Sequence, residues 1–402
     1  MQATRFPDLT ADRIAAASKA RSEPPALTER RKAAWERLPS TDFSVPRGAI
    51  PSRTRLRDVD LLALAAGAVA APAPQVNRSF KGEGIQVLSW SEAMTQHPNL
   101  VQRLFSTHLP EDGKLELLQE ALPAYGTVIL VGRNANPEAP VNLDIEVPAG
   151  GAALHTLIVT EPLSKVEVIE RLHGRAEGSF VSQRVEIFAG EGSHVTYAAV
   201  QDLPLTATYS ATKRAHQERD AKVVWVDTQI GSSMTRSEVT SRLLGPGSGV
   251  QNFGAFLGSG NQEFDLSARG FHEAAHTENQ IFTKGALRDD ARSIFFGHVH
   301  IMPPGASSAG HQKSATLLLS ENARADSIPV LDVENNDVSA SHGSTVGQVD
   351  KEQLFYLRSR GLSEAEATRM IVEGFFQPLL AEIPHEGVRE ELTAAIGRRL
   401  VG

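Results

Sequence analysis

The sequence contains no cysteine in its 402 residues. Without a thiol, the chain cannot form disulfides, Cys-type zinc sites or thiolate nucleophiles, and it supplies no thiolate ligand to a metal cluster. No GxxxxGK[ST] motif occurs, which excludes a P-loop phosphate site. A GxSxG nucleophile elbow is also missing, because Gly305–Gly310 reads GASSAG. Imidazole, carboxylate and backbone groups therefore remain as the ligands that this chain can offer.

Clustered positive charge and long apolar runs are missing as well. The formal net charge is −8, from 48 acidic and 40 basic residues, and no Lys/Arg cluster is dense enough to neutralise a row of phosphates. The longest apolar run, Leu61–Ala71, is too short to cross a bilayer. The first residues lack the basic and apolar segments of a secretory signal. We therefore expect a cytoplasmic protein that binds neither nucleic acid nor membrane.

Three regions differ in their residue patterns. Helical spacing dominates the first third, for example in Ala26–Leu38, which ends before Pro39. From about Tyr125 to about Val333, short β-branched runs are separated by Gly, Asn, Asp or Pro. Helical spacing returns after Asp350, where Ser363 and Glu366 form a capping-box pattern. We predict a mainly helical domain over 1–122, a β core over 123–347 and a helical domain over 348–402.

The β core contains more than two hundred residues of strand pattern without interleaved helices. This arrangement argues against a doubly wound α/β fold and leaves a sandwich, a barrel, a propeller or a β-solenoid. Short strands at fairly regular spacing, without a fixed sequence repeat, favour the solenoid. The flanking helical domains would then cover the open ends of the solenoid.

A possible zinc site lies at His272-Glu273-Ala274-Ala275-His276, which matches the HExxH motif of metalloproteases. That chemistry needs both imidazoles on one face of a helix, with the glutamate beside the metal-bound water. The flanking residues are instead typical of strands and turns, and in a strand the two histidines would lie roughly 13 Å apart. A zinc-dependent hydrolase using His272, Glu273 and His276 therefore stands as the alternative function.

A second possible metal site is the HxH pair His298 and His300. In a strand both rings lie on the same face, where a neighbouring strand could add a third ligand, and His311 is the candidate. The competing interpretation is a row of polar side chains stacked on the outside of a sheet. Sequence spacing alone leaves both interpretations open.

The most distinctive segment is PVLDVENNDVSASHGSTVGQVDKEQLFYLRSRG, at Pro329–Gly361. Its pattern predicts a strand, an Asn/Asp turn, a second strand containing His342, and then a helix. The segment resembles the signature of the SufB/SufD family, with its xSHGxTVG and LFYLxSRG series. The preceding residues, KGALRDDARSIFFGHVHIMPPGASSAGHQKSATLLLSENARADSIP, also resemble that family. The resemblance is close over Gly254–Phe376 and looser elsewhere.

The resemblance implies a right-handed parallel β-helix between two helical domains. It also implies a non-catalytic scaffold subunit of the SUF machinery, which forms and holds nascent iron–sulfur clusters and acquires iron. Such a subunit pairs with a SufB-like subunit, or with itself, through the C-terminal part of the β-helix. Its C-terminal helices contact a SufC-like ABC ATPase. No cofactor is expected to be permanently bound, and an iron–sulfur cluster or iron would reside transiently at the subunit interface.

Individual residues follow from the same resemblance. His342 matches the histidine of the family's SHG motif and is implied to be an iron or cluster ligand at the partner interface; a turn histidine bonded to backbone is the alternative. Ala340 stands where relatives often have cysteine, which favours the SufD side of the family over the SufB side. The C-terminal helices offer either an ATPase-docking surface or core residues, and helical spacing favours core for most of them. These residues are Phe355, Leu357, Met370, Phe375 and Phe376.

Overall fold

The fold is a parallel β-solenoid with helices at both ends of the chain. The computed structural model describes residues 9–42, 60–103, 105–107, 109, 112–174, 178–383 and 386–401. The helices are α1 (Ala11–Ala20), α2 (Pro25–Arg37), α3 (Leu61–Ala70), α4 (Trp90–Gln96), α5 (Lys114–Ala121), α6 (Lys351–Ser359), α7 (Glu364–Glu382) and α8 (Glu386–Val401). No helix in these ranges is long and apolar enough to span a bilayer.

Eighteen strands are assigned in the described part of the chain. They are β1 (Gln75–Ser79), β2 (Ile85–Ser89), β3 (Tyr125–Val131), β4 (Val141–Val147), β5 (Gly151–Thr160), β6 (Lys165–Gly174), β7 (Phe180–Ala189), β8 (His194–Asp202), β9 (Thr208–Gln217), β10 (Lys222–Gln229), β11 (Met234–Leu243), β12 (Gly249–Gly258), β13 (Glu263–His272), β14 (Glu278–Leu287), β15 (Arg292–Ile301), β16 (Ser308–Leu318), β17 (Arg324–Val333) and β18 (Val338–Gln348).

The strands form two nine-stranded sheets. Sheet A has the order β1-β4-β6-β8-β10-β12-β14-β16-β18, and sheet B has the order β17-β15-β13-β11-β9-β7-β5-β3-β2. From β3 onward the chain alternates between the sheets, and each strand pairs in parallel with the strand two positions along the chain. The solenoid therefore makes about eight turns. The predicted parallel β-solenoid between helical segments is confirmed.

Alternating burial explains why these runs fold as strands with one face inward. In β4, the residues Val141, Leu143, Ile145 and Val147 are buried and alternate with half-buried polar residues. Aliphatic residues from both sheets meet in this interior, where burial stabilises the fold by about 25 cal/mol per Å² of apolar surface. One turn requires glycine: Gly151 has φ +106°, and a Cβ there would lie 1.8 Å from the carbonyl oxygen of Phe180.

The helices cover the outer faces of the sheets. Helix α7 packs Val372, Phe376 and Leu379 against sheet A, in a cluster with residues such as Phe253 and Val226. Helices α3 and α5 pack against the outer face of sheet B. The chain thus places its N-terminal helices on one sheet and its C-terminal helices on the other.

Local signals in the sequence correspond well to the helix ends. The Ser363 hydroxyl accepts from the Glu366 N–H while the Glu366 carboxylate accepts from the Ser363 N–H, so the predicted capping box is confirmed. Pro378 lies inside α7, which nevertheless continues to Glu382. Strands β1 and β2 were not predicted; they lie within the region 1–122 and pair antiparallel with β4 and β3. The proposed domain boundaries remain a prediction.

Candidate functional site at the open end of the solenoid

The two ends of the solenoid differ. At the N-terminal end, β1 and β2 each add an antiparallel strand to one sheet, and helices lie against the first strands. At the C-terminal end, β17 and β18 are the last strands of their sheets, and no other strand of the described chain pairs with their outer edges. Neither strand contains a buried residue. We call these two strands the last rung.

The outer edge of β18 presents unpaired backbone groups. The N–H of Val349 donates to Leu318, and the carbonyl of Asp337 accepts from Ser307, so odd-numbered residues direct their backbone groups toward β16. Because backbone groups alternate in direction along a strand, the even-numbered residues face outward. They are Val338, Ala340, His342, Ser344, Val346 and Gln348. The strand contains no Lys, Arg, Asp, Glu or Pro, the residues that normally protect such an edge.

The outer edge of β17 is better protected. The N–H groups of Arg324 and Glu334 donate to Ala291 and Ile301 on the β15 side, so the odd-numbered residues between them face outward. Pro329 occupies one of these outward positions, where its missing N–H costs no bond to β15. Arg324, Asp326 and Asp332 add charge to the strand. Strand β18 is therefore the edge that is more open to a partner strand.

His342 lies in the middle of the β18 edge. It is exposed and pairs in register with Gln312 of β16, while Ala340 pairs with Gly310. Within the described residues its side chain makes no hydrogen bond, so the alternative of a turn histidine bonded to backbone is not realised. The imidazole is thus available to a ligand at the open end, and its role as an iron or cluster ligand remains a prediction.

Helix α6 follows β18 directly and buries none of its residues. Phe355 is 75% exposed, and Tyr356 and Met370 are each 56% exposed. We call these three residues the α6–α7 apolar surface. Large apolar side chains with this exposure make the surface a candidate for partner binding.

The expectation that most of the C-terminal apolar residues belong to the core is only partly correct. Phe376 is fully buried against sheet A, as expected. Leu357 and Phe375 are half-buried, and the Phe375 ring lies 4.2 Å from the Lys284 ammonium. For Phe355 and Met370 the expectation is wrong, because α6 projects from the solenoid and the Met370 side of α7 faces solvent.

The HxH pair forms a second cluster on the outer face of sheet B. The rings of His298 and His300 stack with centroids 5.7 Å apart and an angle of 15° between their planes, so the predicted common face is confirmed. Asp332 of β17 pairs in register with His300. One potential ligand atom from each of His298, His300 and Asp332 lies within 4.8 Å of the other two.

The predicted third ligand, His311, is wrong. It lies on β16 in sheet A, where its Nδ1 hydrogen-bonds to the Ser341 hydroxyl at 2.8 Å. Asp332 takes its place in the cluster because β17, not β16, is the neighbour of β15. Sequence spacing gave no sign of this, since His300 and Asp332 lie on strands that are separated by the whole of β16.

The electrostatic environment keeps His298 neutral. Both ring nitrogens are buried, and neither has a hydrogen-bond partner in the part of the chain that the structure describes. Burial, followed by the charges of Arg269 and His300, lowers the pKa of His298 to about 4. His300 is more accessible, and its Nε2 donates to Glu334 at 2.8 Å.

The HExxH motif does not form a zinc site. His272 ends β13 and points into the core, where its Nδ1 hydrogen-bonds to Thr277 at 2.7 Å. Glu273 pairs with Arg242, whose Nη2 donates at 2.7 Å. His276 adopts a left-handed turn conformation with φ +59°. A strand followed by a turn replaces the helix that the hydrolase hypothesis requires, so that hypothesis is wrong.

Comparisons with known proteins show which family the chain belongs to. Residues 145–375, more than half of the chain, match the family described as "SUF system FeS cluster assembly, SufBD core domain". The iron-sulfur cluster assembly protein SufD of Bacillus subtilis is 31% identical over 332 residues, which cover 81% of this chain and 76% of that protein. An iron-sulfur cluster assembly SufBD family protein of Staphylococcus saprophyticus is 30% identical over 317 residues, which cover 77% of this chain and 68% of that protein. The chain therefore belongs to the SufBD family of the SUF iron–sulfur cluster assembly system.

Proposed function

We propose that this chain is the SufD-type scaffold subunit of a SUF assembly complex. It pairs through its last rung with a SufB-like subunit, binds a SufC-like ATPase through its C-terminal helices, and holds iron or a nascent cluster transiently. It carries out no turnover of its own, and it acts in the cytoplasm. Membership of the SufBD family makes it an iron–sulfur cluster assembly protein; the partners and the site are what we add.

The observation that carries this proposal is the unprotected edge of β18. The strand has 11 residues, which corresponds to roughly 36 Å of edge at the usual strand rise. A partner strand added there would satisfy the outward backbone groups and continue sheet A into the partner, as in β-augmentation. A monomer would otherwise expose a flat, uncharged edge, which proteins normally avoid.

The composition of the chain favours a SufB-like partner over a second copy for cluster formation. Two copies of this chain would offer no thiolate, because cysteine is absent. A cluster with thiolate ligands therefore needs cysteines from a different subunit. His342 would contribute an imidazole from this side, and imidazole is a suitable ligand for iron.

The ATPase interaction is supported by the α6–α7 apolar surface. This chain has no P-loop, so ATP hydrolysis must come from another subunit. Phe355 and Met370 expose apolar area immediately after the last rung. An ATPase bound there would act close to the edge at which the partner subunit pairs, since only Val349 and Asp350 separate β18 from α6.

Co-purification from cells that express all three subunits tests the ATPase interaction. Deleting residues 351–402 is unsuitable, because α7 and α8 cover apolar residues of sheet A. Phe355→Asp changes only the exposed surface, and we expect it to abolish ATPase co-purification. Leu163→Asp is the matched control, because Leu163 is 60% exposed at a turn far along the chain from α6. Retention of the ATPase by Phe355→Asp would contradict the docking surface.

The role of His342 is tested in the reconstituted complex. We expect His342→Ala to retain both partners but to lower the iron and sulfide content of the complex. His194→Ala is the control, because this histidine is also exposed but begins β8, five strands away from β18 in sheet A. Equal cluster content in the two variants would remove His342 from the proposal while leaving the partner interactions in place.

A further inference from the structure

We infer that His298, His300 and Asp332 bind a divalent transition-metal ion on the outer face of sheet B. This cluster lies on the opposite sheet from His342, and all three side chains belong to this chain, with Asp332 on β17 of the last rung. The inference therefore stands independently of the proposed scaffold function.

The backbone brings the three side chains together. His298 and His300 are two residues apart on β15, so they share a face of the sheet. Asp332 is the direct ladder partner of His300 on β17. Adjacent strands lie about 4.8 Å apart, a spacing at which facing side chains can share one ion. As a result, one potential ligand atom from each side chain lies within 4.8 Å of the other two.

His298 is the strongest indication of a ligand. Its imidazole is buried, and among the described residues neither ring nitrogen has a hydrogen-bond partner. An unpaired buried polar group costs about 1–3 kcal/mol, and His298 is the one histidine of the described residues with both ring nitrogens buried and unpaired. A metal ion bound by one ring nitrogen would satisfy it. The nearby positive charge of Arg269 is offset by Glu238, which lies 3.8 Å away.

The ligand set indicates the class of metal. Two imidazoles and one carboxylate suit Fe²⁺, Co²⁺ or Zn²⁺, whereas Ca²⁺ and Mg²⁺ prefer oxygen ligands alone. Three protein ligands leave further coordination positions open to water or another small ligand. Entry is possible from the Asp332 side, where the carboxylate side chain is 35% exposed.

Glu334 completes the surroundings of the site. It accepts the hydrogen bond from Nε2 of His300 at 2.8 Å. The same Nε2 lies 3.9 Å from the Asp332 carboxylate, so two carboxylates flank this ring nitrogen. Asp332 and Glu334 together also supply negative charge that offsets the charge of a bound dication.

The test is a titration of the purified full-length chain with Co²⁺, followed by visible absorption, and then competition with Zn²⁺ and with Fe²⁺ under anaerobic conditions. We expect one equivalent of Co²⁺ to produce a ligand-field spectrum. His298→Ala and Asp332→Asn should each weaken binding at least about tenfold, since even loss of an outer-shell partner costs 10–100-fold. His311→Ala is the matched control and should leave the affinity unchanged.

Thermal unfolding with and without Zn²⁺ provides a second readout. The metal should raise the melting temperature of the wild-type chain by mass action and should have little effect on either ligand variant. Should His298→Ala fail to fold, Asp332→Asn decides alone, because the Asp332 side chain is partly exposed. Wild-type affinity in Asp332→Asn, or loss of the Co²⁺ spectrum on His311→Ala, would overturn the inference.

Discussion

Replacement of Arg214 by methionine should detach part of the N-terminal region from the solenoid. Arg214 lies on the outer face of β9 with 2% of its side chain exposed. Its guanidinium donates to the Thr107 carbonyl at 2.9 Å, to both oxygens of Asp112, and to Glu238 at 2.9 Å. Burial lowers the pKa of Arg214, but the charges of Glu238 and Asp112 outweigh this effect and raise the pKa.

The magnitude follows from the charges that the substitution leaves behind. Methionine keeps most of the side-chain length but removes the cation between two carboxylates that are at most 12% exposed. Breaking one partner of a buried ion pair typically costs 3–5 kcal/mol, so we expect a loss of about 4 kcal/mol in the free energy of unfolding. Arg214→Lys should recover only part of this loss, because an ammonium cannot form the bidentate contact with Asp112.

Equilibrium urea denaturation of the full-length chain measures this effect. Arg219→Met is the control: Arg219 pairs with Glu191 at 3.9 Å, both side chains are more than half exposed, and the pair should contribute less than about 1 kcal/mol. Hydrogen exchange should also show faster opening around Thr107 and Asp112 in Arg214→Met. A loss below about 1 kcal/mol, or one equal to that of the control, would refute the reasoning.

Two further predictions concern pH and the C-terminal helices. Burial lowers the pKa of His216 to about 4 and also lowers the pKa of His155. Below about pH 6.5 the unfolded chain therefore binds more protons than the folded chain, and stability falls as the pH falls. The melting temperature should therefore fall between pH 7 and pH 5, and a constant value would contradict this. Phe376 is buried and Phe355 is exposed, so in urea denaturation Phe376→Ala should lower the free energy of unfolding by about 3–5 kcal/mol and Phe355→Ala should change it by less than about 0.5 kcal/mol. Similar losses in the two variants would contradict the assigned packing.

The sequence contained enough information to predict a β-solenoid but not to align its turns. Inward residues such as Val141 and Leu143 produce the alternating pattern that identifies strands. The offset between paired strands is irregular: Met234 pairs with Thr208 and Glu263, 26 and 29 residues away, and Arg292 pairs with Arg324, 32 residues away. Because turn lengths vary, no fixed repeat appears, and the choice among β architectures depended on the family resemblance.

The same irregularity limited the prediction of the sites. His298 and His300 share a face because strand geometry alone dictates it. Asp332 could not be found, since its approach depends on the register between β15 and β17. The five-residue strand β1 (QVNRS) is too short and too polar for a periodic signal, which is why the end of sheet A was missed. Exposure of Phe355 depends on how α6 leaves the solenoid, which helical spacing does not specify.

The central claim is that β18 is the edge at which the partner subunit binds. Val346 directs its N–H outward, so Val346→Pro removes one backbone donor from that edge while the bonds to β16 remain. Val346→Thr keeps the donor and a similar shape. Light scattering of this chain mixed with a SufB-like subunit should show a heterodimer for wild type and Val346→Thr, and separate monomers for a folded Val346→Pro variant at the same concentration. A heterodimer of unchanged affinity with Val346→Pro would contradict the account.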